Sequence, residues 1–428
     1  MANPVNFSLS RRAARTTAQP IGELMAMGVE REDLISLAAG LVDFGTLPSE
    51  DLALIAADLL QGVNRDARVP LQYGTTEGHA KLRGILLSHI ASLDGLTTED
   101  YGATAEDIVI SSGSQQLLFL LTDVLVDEGD IVITAWPSYF VYTGALKGFG
   151  AEVRCVEIDS NGMKPESLEG MLETLKAEGR LDRVKIVYVQ PDHQNPTSLS
   201  LAANRREPIA RIVERFSINH RILLIEDAAY RELTYDGSVA PSIKRFDRDN
   251  QFVALLQTFS KPFSPGLRTG YGLVPRDLVN PVLFQKGGHD FGSSNLSQHL
   301  ILEAMARGVY TRQVRKLRAH YRVKAEAMQK ALVHELGQRD DVTWTQPAGG
   351  LYVWLSLPSS IDTGPTGSLW PEALDVGVSY VPGAYCYAAD PNRAIPNHQM
   401  RLCFGAVEID QIGEAIKRLA SVVRPLLG

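Results

Sequence analysis

The sequence predicts an α/β fold built on a mainly parallel sheet, and three stretches carry that expectation. Asp107-Ile108-Val109-Ile110 reads as an apolar strand that breaks at Ser111-Ser112-Gly113-Ser114 and turns at once into a helix through Leu120. Ile131-Val132-Ile133-Thr134 follows as the next strand, which completes a β-α-β unit and so predicts parallel strands. Ile222-Leu223-Leu224-Ile225 is a run of four apolar residues, as in a strand buried on both faces.

Composition narrows the class of protein. The 428 residues suffice for two domains, and 45% hydrophobic with 21% charged residues is ordinary for a soluble globular chain. A net charge of −8 argues against a general nucleic-acid binder, whose affinity rests on excess cations. The three cysteines, Cys155, Cys386 and Cys403, are far apart and lack metal-site spacing. They suit buried thiols in a reducing cytoplasm. No run approaches the apolar length of a membrane span, and the polar start with Arg11, Arg12 and Arg15 is unlike a signal peptide.

Taken in order, residues 1 to about 35 read as a polar arm with a short helix around Ile21–Met25. Pro48-Ser49-Glu50-Asp51 caps a helix whose apolar positions Leu52, Ile55, Ala56, Leu59 and Leu60 keep helical spacing, with Gly62 as its stop. A second helix passes through Leu82, Ile85, Leu86 and His89. At the strand–Gly–helix junction of 107–120, free N–H groups and the positive helix end make an anion site at Gly113, Ser114 and Gln115. Val184–Val189 is another strand, followed by the polar loop Gln190-Pro191-Asp192-His193-Gln194-Asn195. His193 in such a loop is expected to be solvated, with contact to substrate as the alternative.

Beyond Tyr271 the sheet signal fades. Gly287–Ser294 reads as a loop, with helices near 297–307 and over about 311–336, the latter with Arg312, Arg315, Arg318 and Arg322 as a solvated basic face. Leu351–Leu357 and Met400–Phe404 read as strands, and Ile409, Ile412, Ile416, Leu419 and Val423 mark a closing helix. Pro358–Pro371, rich in Gly, Ser and Pro, reads as a surface loop.

Two stretches concentrate the chemistry. In Ile225-Glu226-Asp227-Ala228-Ala229-Tyr230 an acid ends a buried strand, which is costly unless a cation pairs with it. In Thr258-Phe259-Ser260-Lys261-Pro262-Phe263-Ser264-Pro265-Gly266-Leu267-Arg268 a lysine follows the apolar run Phe252–Leu256, and an arginine stands in a Pro-Gly turn. Desolvation and a neighbouring cation lower a lysine's proton affinity and make its amine a nucleophile. Thr258, Ser260 and Arg268 are the hydroxyls and guanidinium that a phosphate monoester wants. An amine beside a phosphate cup suggests pyridoxal 5′-phosphate carried covalently on Lys261.

The Thr-Phe-Ser-Lys element, three spacers and Pro-Gly-Leu-Arg-x-Gly-Tyr resemble the cofactor-lysine segment of fold-type I, class I/II aminotransferases, with the 2-aminoadipate and kynurenine aminotransferases as the closest branch. The resemblance covers about residue 35 to the C-terminus and implies a role for each matching position. Asp227 would pair with the pyridine nitrogen, Asn195 and Tyr230 would contact the ring oxygen, and Tyr139 in Trp136-Pro137-Ser138-Tyr139 would stack on the ring, with Trp136 as packing. Gly40, in a loop where Ala39 and Val42 replace the family's glycine and proline, would lie near the substrate carboxylate. Arg401 in Met400-Arg401-Leu402-Cys403-Phe404 would hold that carboxylate, with Arg15 as second choice, and Tyr73 in Gln72-Tyr73-Gly74 would reach the partner subunit's cofactor phosphate.

The fold implied is a large cofactor-binding domain over residues 49–308 and a smaller α+β domain from 1–48 and 309–428, assembled as a homodimer. The implied reaction is amino-group transfer between an L-amino acid and a 2-oxo acid. Lyases, decarboxylases and oxidases share the fold, as do some transcription factors, which place a DNA-binding motif ahead of it.

Overall fold

A computed structural model describes residues 7–61, 66–337 and 339–428. Gly62, the expected helix stop, and the first six residues of the arm lie outside the described residues.

Eight strands form the main sheet: β1 (Ile108–Ser111), β2 (Ile131–Trp136), β3 (Glu152–Asp159), β4 (Gly162–Met163), β5 (Val184–Val189), β6 (Leu223–Asp227), β7 (Val253–Thr258) and β8 (Gly270–Leu273). Their spatial order is β1-β8-β7-β6-β5-β2-β3-β4. From β7 to β3 every pairing is parallel, while β8 runs antiparallel to both neighbours and β4 closes a hairpin on β3. The β1 and β2 strands share a direction as expected, yet four strands stand between them. Every residue of β6 and β7 is buried, because helices cover both faces of the sheet.

A second, four-stranded antiparallel sheet has the order β9 (Thr343–Trp344), β10 (Tyr352–Ser356), β12 (Gln399–Cys403), β11 (Val381–Pro382). Its core joins the long helix Val309–Leu336 to the closing helix Ile409–Val423 through Leu317, Met328, Leu332, Ile412, Ile416 and Leu419. The N-terminal segment belongs to the same unit: Ile35–Ser36 pairs in parallel with Val378–Ser379, and Leu37 and Val42 enter this core.

Several expectations change. The helix Arg276–His289 runs through Gly287 and Gly288, so the loop expected from 287 begins only after it. Pro358–Pro371 is not simply a surface loop: Thr363 is buried, donates to the Asn397 and Gln399 carbonyls, and the segment ends in a helix at Leu369. The helix Ser49–Leu60 starts where expected but makes no side-chain cap hydrogen bond. On the basic face, Arg318 is tied to the Glu232 carbonyl rather than solvated. The three cysteines are free and buried, as expected. No described helix is long and apolar enough to cross a membrane.

Candidate active site

The C-terminal ends of β1, β2, β5, β6 and β7 point to one cavity of about 480 Å³. Open parallel α/β sheets place ligands at this edge, where the chain leaves each strand for a loop. Gly40, Gly113, Ser114, Gln115, Tyr139, Asn195, Asp227, Tyr230, Thr258, Ser260, Lys261 and Arg268 all line the cavity. Arg401 does not line the cavity but bonds Asn195, which does, and Tyr73 lies elsewhere.

Lys261 follows β7 in the turn that Pro262 enforces, and its Nζ donates to the Gly40 carbonyl at 2.7 Å. Burial pushes its ammonium down to about 8, with Cys403 opposing and the charges of Arg401 and Arg268 adding to the shift.

On one side lies the anion cup. At the end of β1, Gly113 takes φ +86°, and the helix Ser114–Leu125 begins with neither an acidic residue in its first turn nor a side-chain cap. Its first N–H groups are left for a ligand. The Arg268 Nη2 atom comes within 3.1 Å of where a Cβ at Gly113 would stand, and the positive φ favours glycine there, so the guanidinium approaches the backbone closely. Arg268 Nη1 donates to Ser260 Oγ at 3.4 Å, and Ser260 N donates to Thr258 Oγ1 at 3.1 Å. Arg268 makes no ion pair among the described residues.

Opposite the lysine, β6 delivers its acid. Asp227 Oδ2 accepts from Tyr188 Oη at 2.7 Å and from Gln190 Nε2 at 2.9 Å. Its Oδ1 is buried without a partner among the described residues. Burial raises the Asp227 pKa, and the hydrogen bonds from Tyr188 and Gln190, with the nearby Ala229 backbone, offset this only in part. Strand alternation turns the adjacent Glu226 to the other face, where it accepts from the Ile243 and Lys244 amides at 2.9 and 2.8 Å. Asp227, not Glu226, faces the cavity.

Arg401 comes from β12 and is buried rather than half-exposed, since both faces of that strand are covered. Its Nη1 donates to Asn195 Oδ1 at 2.9 Å and its Nη2 to the Ala38 carbonyl at 2.6 Å. The guanidinium lies 4.4 Å from the ring centre of Tyr352, whose hydroxyl meets that of Tyr230 at 2.8 Å. Arg401 has no ion-pair partner among the described residues, and its Nε is buried and unbonded. Burying a cation without an anion is costly, so this position is built for a negatively charged ligand.

The remaining candidates separate clearly. Tyr73 is 83% exposed and packs edge-on against Phe291, away from this chain's cavity. Trp136 packs on Tyr387 and under Arg393, as expected of a packing residue. Arg15 pairs with Glu128 and does not line this cavity. His193 is neither solvated nor in the cavity. It is buried, bonded to Thr234 and Ser200, and pressed against Gly349 and Gly350. Desolvation pushes its pKa down to about 4, with Asp192 opposing. Sequence reading missed Tyr188, Gln190 and Tyr352. The first two stand at i and i+2 at the end of β5 beside the acid, a legible pattern, whereas the Tyr352 contacts arise only when the two sheets meet.

Residues 32–419 match the family model for aminotransferase class I and II. The chain belongs to that family. It is 34% identical to an aromatic-amino-acid aminotransferase of Thermococcus litoralis, over 97% of this chain and 94% of the relative. It is 30% identical to a 2-aminoadipate transaminase of Thermus thermophilus over 99% of both. The crystal structure of Pyrococcus horikoshii kynurenine aminotransferase superposes with a TM-score of 0.87 at 32% identity, covering 98% of each chain. This aminotransferase therefore has the fold-type I architecture, uses pyridoxal 5′-phosphate, and moves an amino group between an amino acid and a 2-oxo acid.

Proposed function

We propose that Lys261 carries the cofactor and that Asp227, Tyr230, Asn195 and Tyr139 hold its ring. Gly113, Ser114, Gln115, Thr258, Ser260 and Arg268 hold its phosphate in this reading, and Arg401, with Asn195 and the Gly40 loop, holds the substrate carboxylate. The observation that carries it is a pair of unmet demands at one site with the lysine. Asp227 has a buried oxygen with no donor, and Arg401 is a buried cation with no anion, among the described residues. A protonated ring nitrogen satisfies the first and an α-carboxylate the second.

When bound, pyridoxal phosphate supplies a ring that accepts the electron pair of the substrate Cα–H bond and stores the amino group between half-reactions. The chain supplies the rest. Lys261 takes the proton from the substrate Cα, a task suited to an amine whose pKa burial has lowered to about 8. Asp227, fixed by Tyr188 and Gln190, keeps the ring nitrogen protonated. Arg401 orients the amino acid so that its Cα–H faces the lysine.

The rest of the wall is largely apolar, with Met25, Leu41, Val42, Ala229 and Pro265, and among the described residues the only lining cations are Lys261 and Arg268. We infer a substrate with a neutral, apolar or aromatic side chain, in keeping with the aromatic-amino-acid and kynurenine relatives. Tyr73, Leu71 and Phe291 are exposed together, which suits a homodimer in which Tyr73 serves the partner's site. Three free, buried thiols suit a cytoplasmic enzyme, and the domain boundaries at 48/49 and 308/309 belong to the same reading. The test is borohydride reduction of the cofactor-loaded protein followed by peptide mapping, with a turnover panel in which each amino acid is mixed with a 2-oxo acid as acceptor. The label is expected on Lys261, and a new amino acid rather than ammonia or peroxide is expected as product. A label on another lysine refutes the assignment.

A further inference from the structure

Beneath the anion cup, on the side away from the cavity, lies a polar network that neither the catalytic lysine nor the substrate arginine uses. Lys286, its side chain wholly buried, donates to Asp290 Oδ1 at 2.7 Å. Asp290 Oδ2 accepts from Gln116 Nε2 at 2.7 Å and from Ser112 Oγ at 3.3 Å. Gln116 Oε1 in turn accepts the backbone N–H of Ser112 at 2.8 Å, and its amide nitrogen also meets His289 Nδ1 at 3.3 Å. Ser112 is the residue before Gly113, where β1 turns into the helix whose first N–H groups face the cavity.

The chemistry of these groups fixes a direction. An ionised carboxylate only accepts, so the Gln116 amide must turn its NH₂ to Asp290 and its oxygen to Ser112. Reversing it would set donor against donor at the Ser112 N–H. Lys286 keeps Asp290 in that accepting state and balances a negative charge that would otherwise stand behind an anion site. We propose that the Lys286–Asp290–Gln116 chain orients the 112–114 loop, so that Asp290 acts as a positioning residue for cofactor phosphate without touching it. This rests on the reading that Gly113, Ser114 and Arg268 hold the phosphate.

An Asp290→Asn variant keeps the shape but lets its amide face Gln116 the wrong way round, which frees the loop. The experiment compares the dissociation constants of pyridoxal 5′-phosphate and phosphate-free pyridoxal for cofactor-free protein, in the parent and in Asp290→Asn. It adds inorganic phosphate as competitor and kcat at saturating cofactor. Losing one charge-assisted hydrogen bond network is expected to weaken pyridoxal phosphate and inorganic phosphate at least about tenfold. Pyridoxal affinity and saturated kcat are expected to stay within about threefold, the range of a site left otherwise intact. Gln116→Leu, on a half-exposed position, is expected to repeat the pattern and serves if Asp290→Asn fails to fold. Equal weakening of both aldehydes, or no change in their ratio, overturns the proposal. A parent that does not itself prefer pyridoxal phosphate to pyridoxal overturns instead the phosphate reading on which it rests.

Discussion

Replacing Arg401 by lysine keeps the charge and removes the planar fork, so it isolates what the guanidinium contributes. In the structure that group spans two acceptors at once, Asn195 Oδ1 at 2.9 Å and the Ala38 carbonyl at 2.6 Å, while its face rests 4.4 Å from the Tyr352 ring centre. A compact ammonium cannot keep both contacts, stack on the ring and grip a carboxylate. The charge-assisted bonding lost is about 1.5–3 kcal/mol, which predicts a fall in kcat/KM for amino acids of roughly 10- to 150-fold. The assay is a single turnover with amino acid, followed by the visible absorbance of the cofactor, with cofactor affinity measured in parallel. Cofactor affinity is expected to hold to within a few-fold, because Arg401 bonds none of the phosphate residues and meets the ring-holding set only through Asn195. Primary amines lacking a carboxylate are expected to lose far less, since they never engage the fork. A variant that turns over amino acids as fast as the parent would refute the reasoning and make Arg401 structural.

Four further outcomes are expected. Asp227→Asn leaves cofactor binding through Lys261 intact and slows the chemical step about 10²-fold or more, the scale for removing one key electrostatic group, in single-turnover rates. The Lys261 ammonium is pushed down to about 8, so capture of pyridoxal phosphate by cofactor-free protein should speed up as pH rises towards 8 and then level off. Because the unfolded lysine keeps its ordinary value of 10.5, the unfolded chain binds more protons between the two values, and this group's contribution to stability rises with pH there, measurable by denaturant titration. Gly349→Ala sets a Cβ 2.2 Å from the pinned His193 Nε2 and should cost about 1–3 kcal/mol of stability, with less than additive loss when combined with His193→Ala.

The parts of the site legible in the sequence are those where one strand delivers one residue. A strand's end fixes where the next side chain goes, so Gly113, the Glu226-Asp227 pair and Lys261 could be placed in a common mouth from their flanking apolar runs, while the choice of Asp227 rested on the resemblance. What stayed illegible depends on surfaces meeting across long sequence separations. Tyr352 reaches Tyr230 over 122 positions, and His193 is buried because Gly349 and Gly350 come down on it. A polar loop read in isolation carries no sign of the element that will cover it. The helix through Gly287 and Gly288 was hidden for another reason. Glycine weakens local helix preference, and here the surrounding packing of Val279, Val282 and Lys286 overrides it.

Glu226 and Asp227 are chemically near-twins on consecutive residues, and what separates them is parity. One acid clamps the amides of residues 243 and 244 and the other faces the cavity, because side chains alternate along β6. Inserting or deleting one residue within β6 would exchange them without altering the composition of the chain, and would carry every neighbouring apolar side chain to the opposite face as well. The central strand is thus a reading frame, permissive of conservative spelling and intolerant of length. Natural or engineered length changes should collect at the β3–β4 hairpin on the sheet's outer edge, where no cavity-lining residue follows in phase.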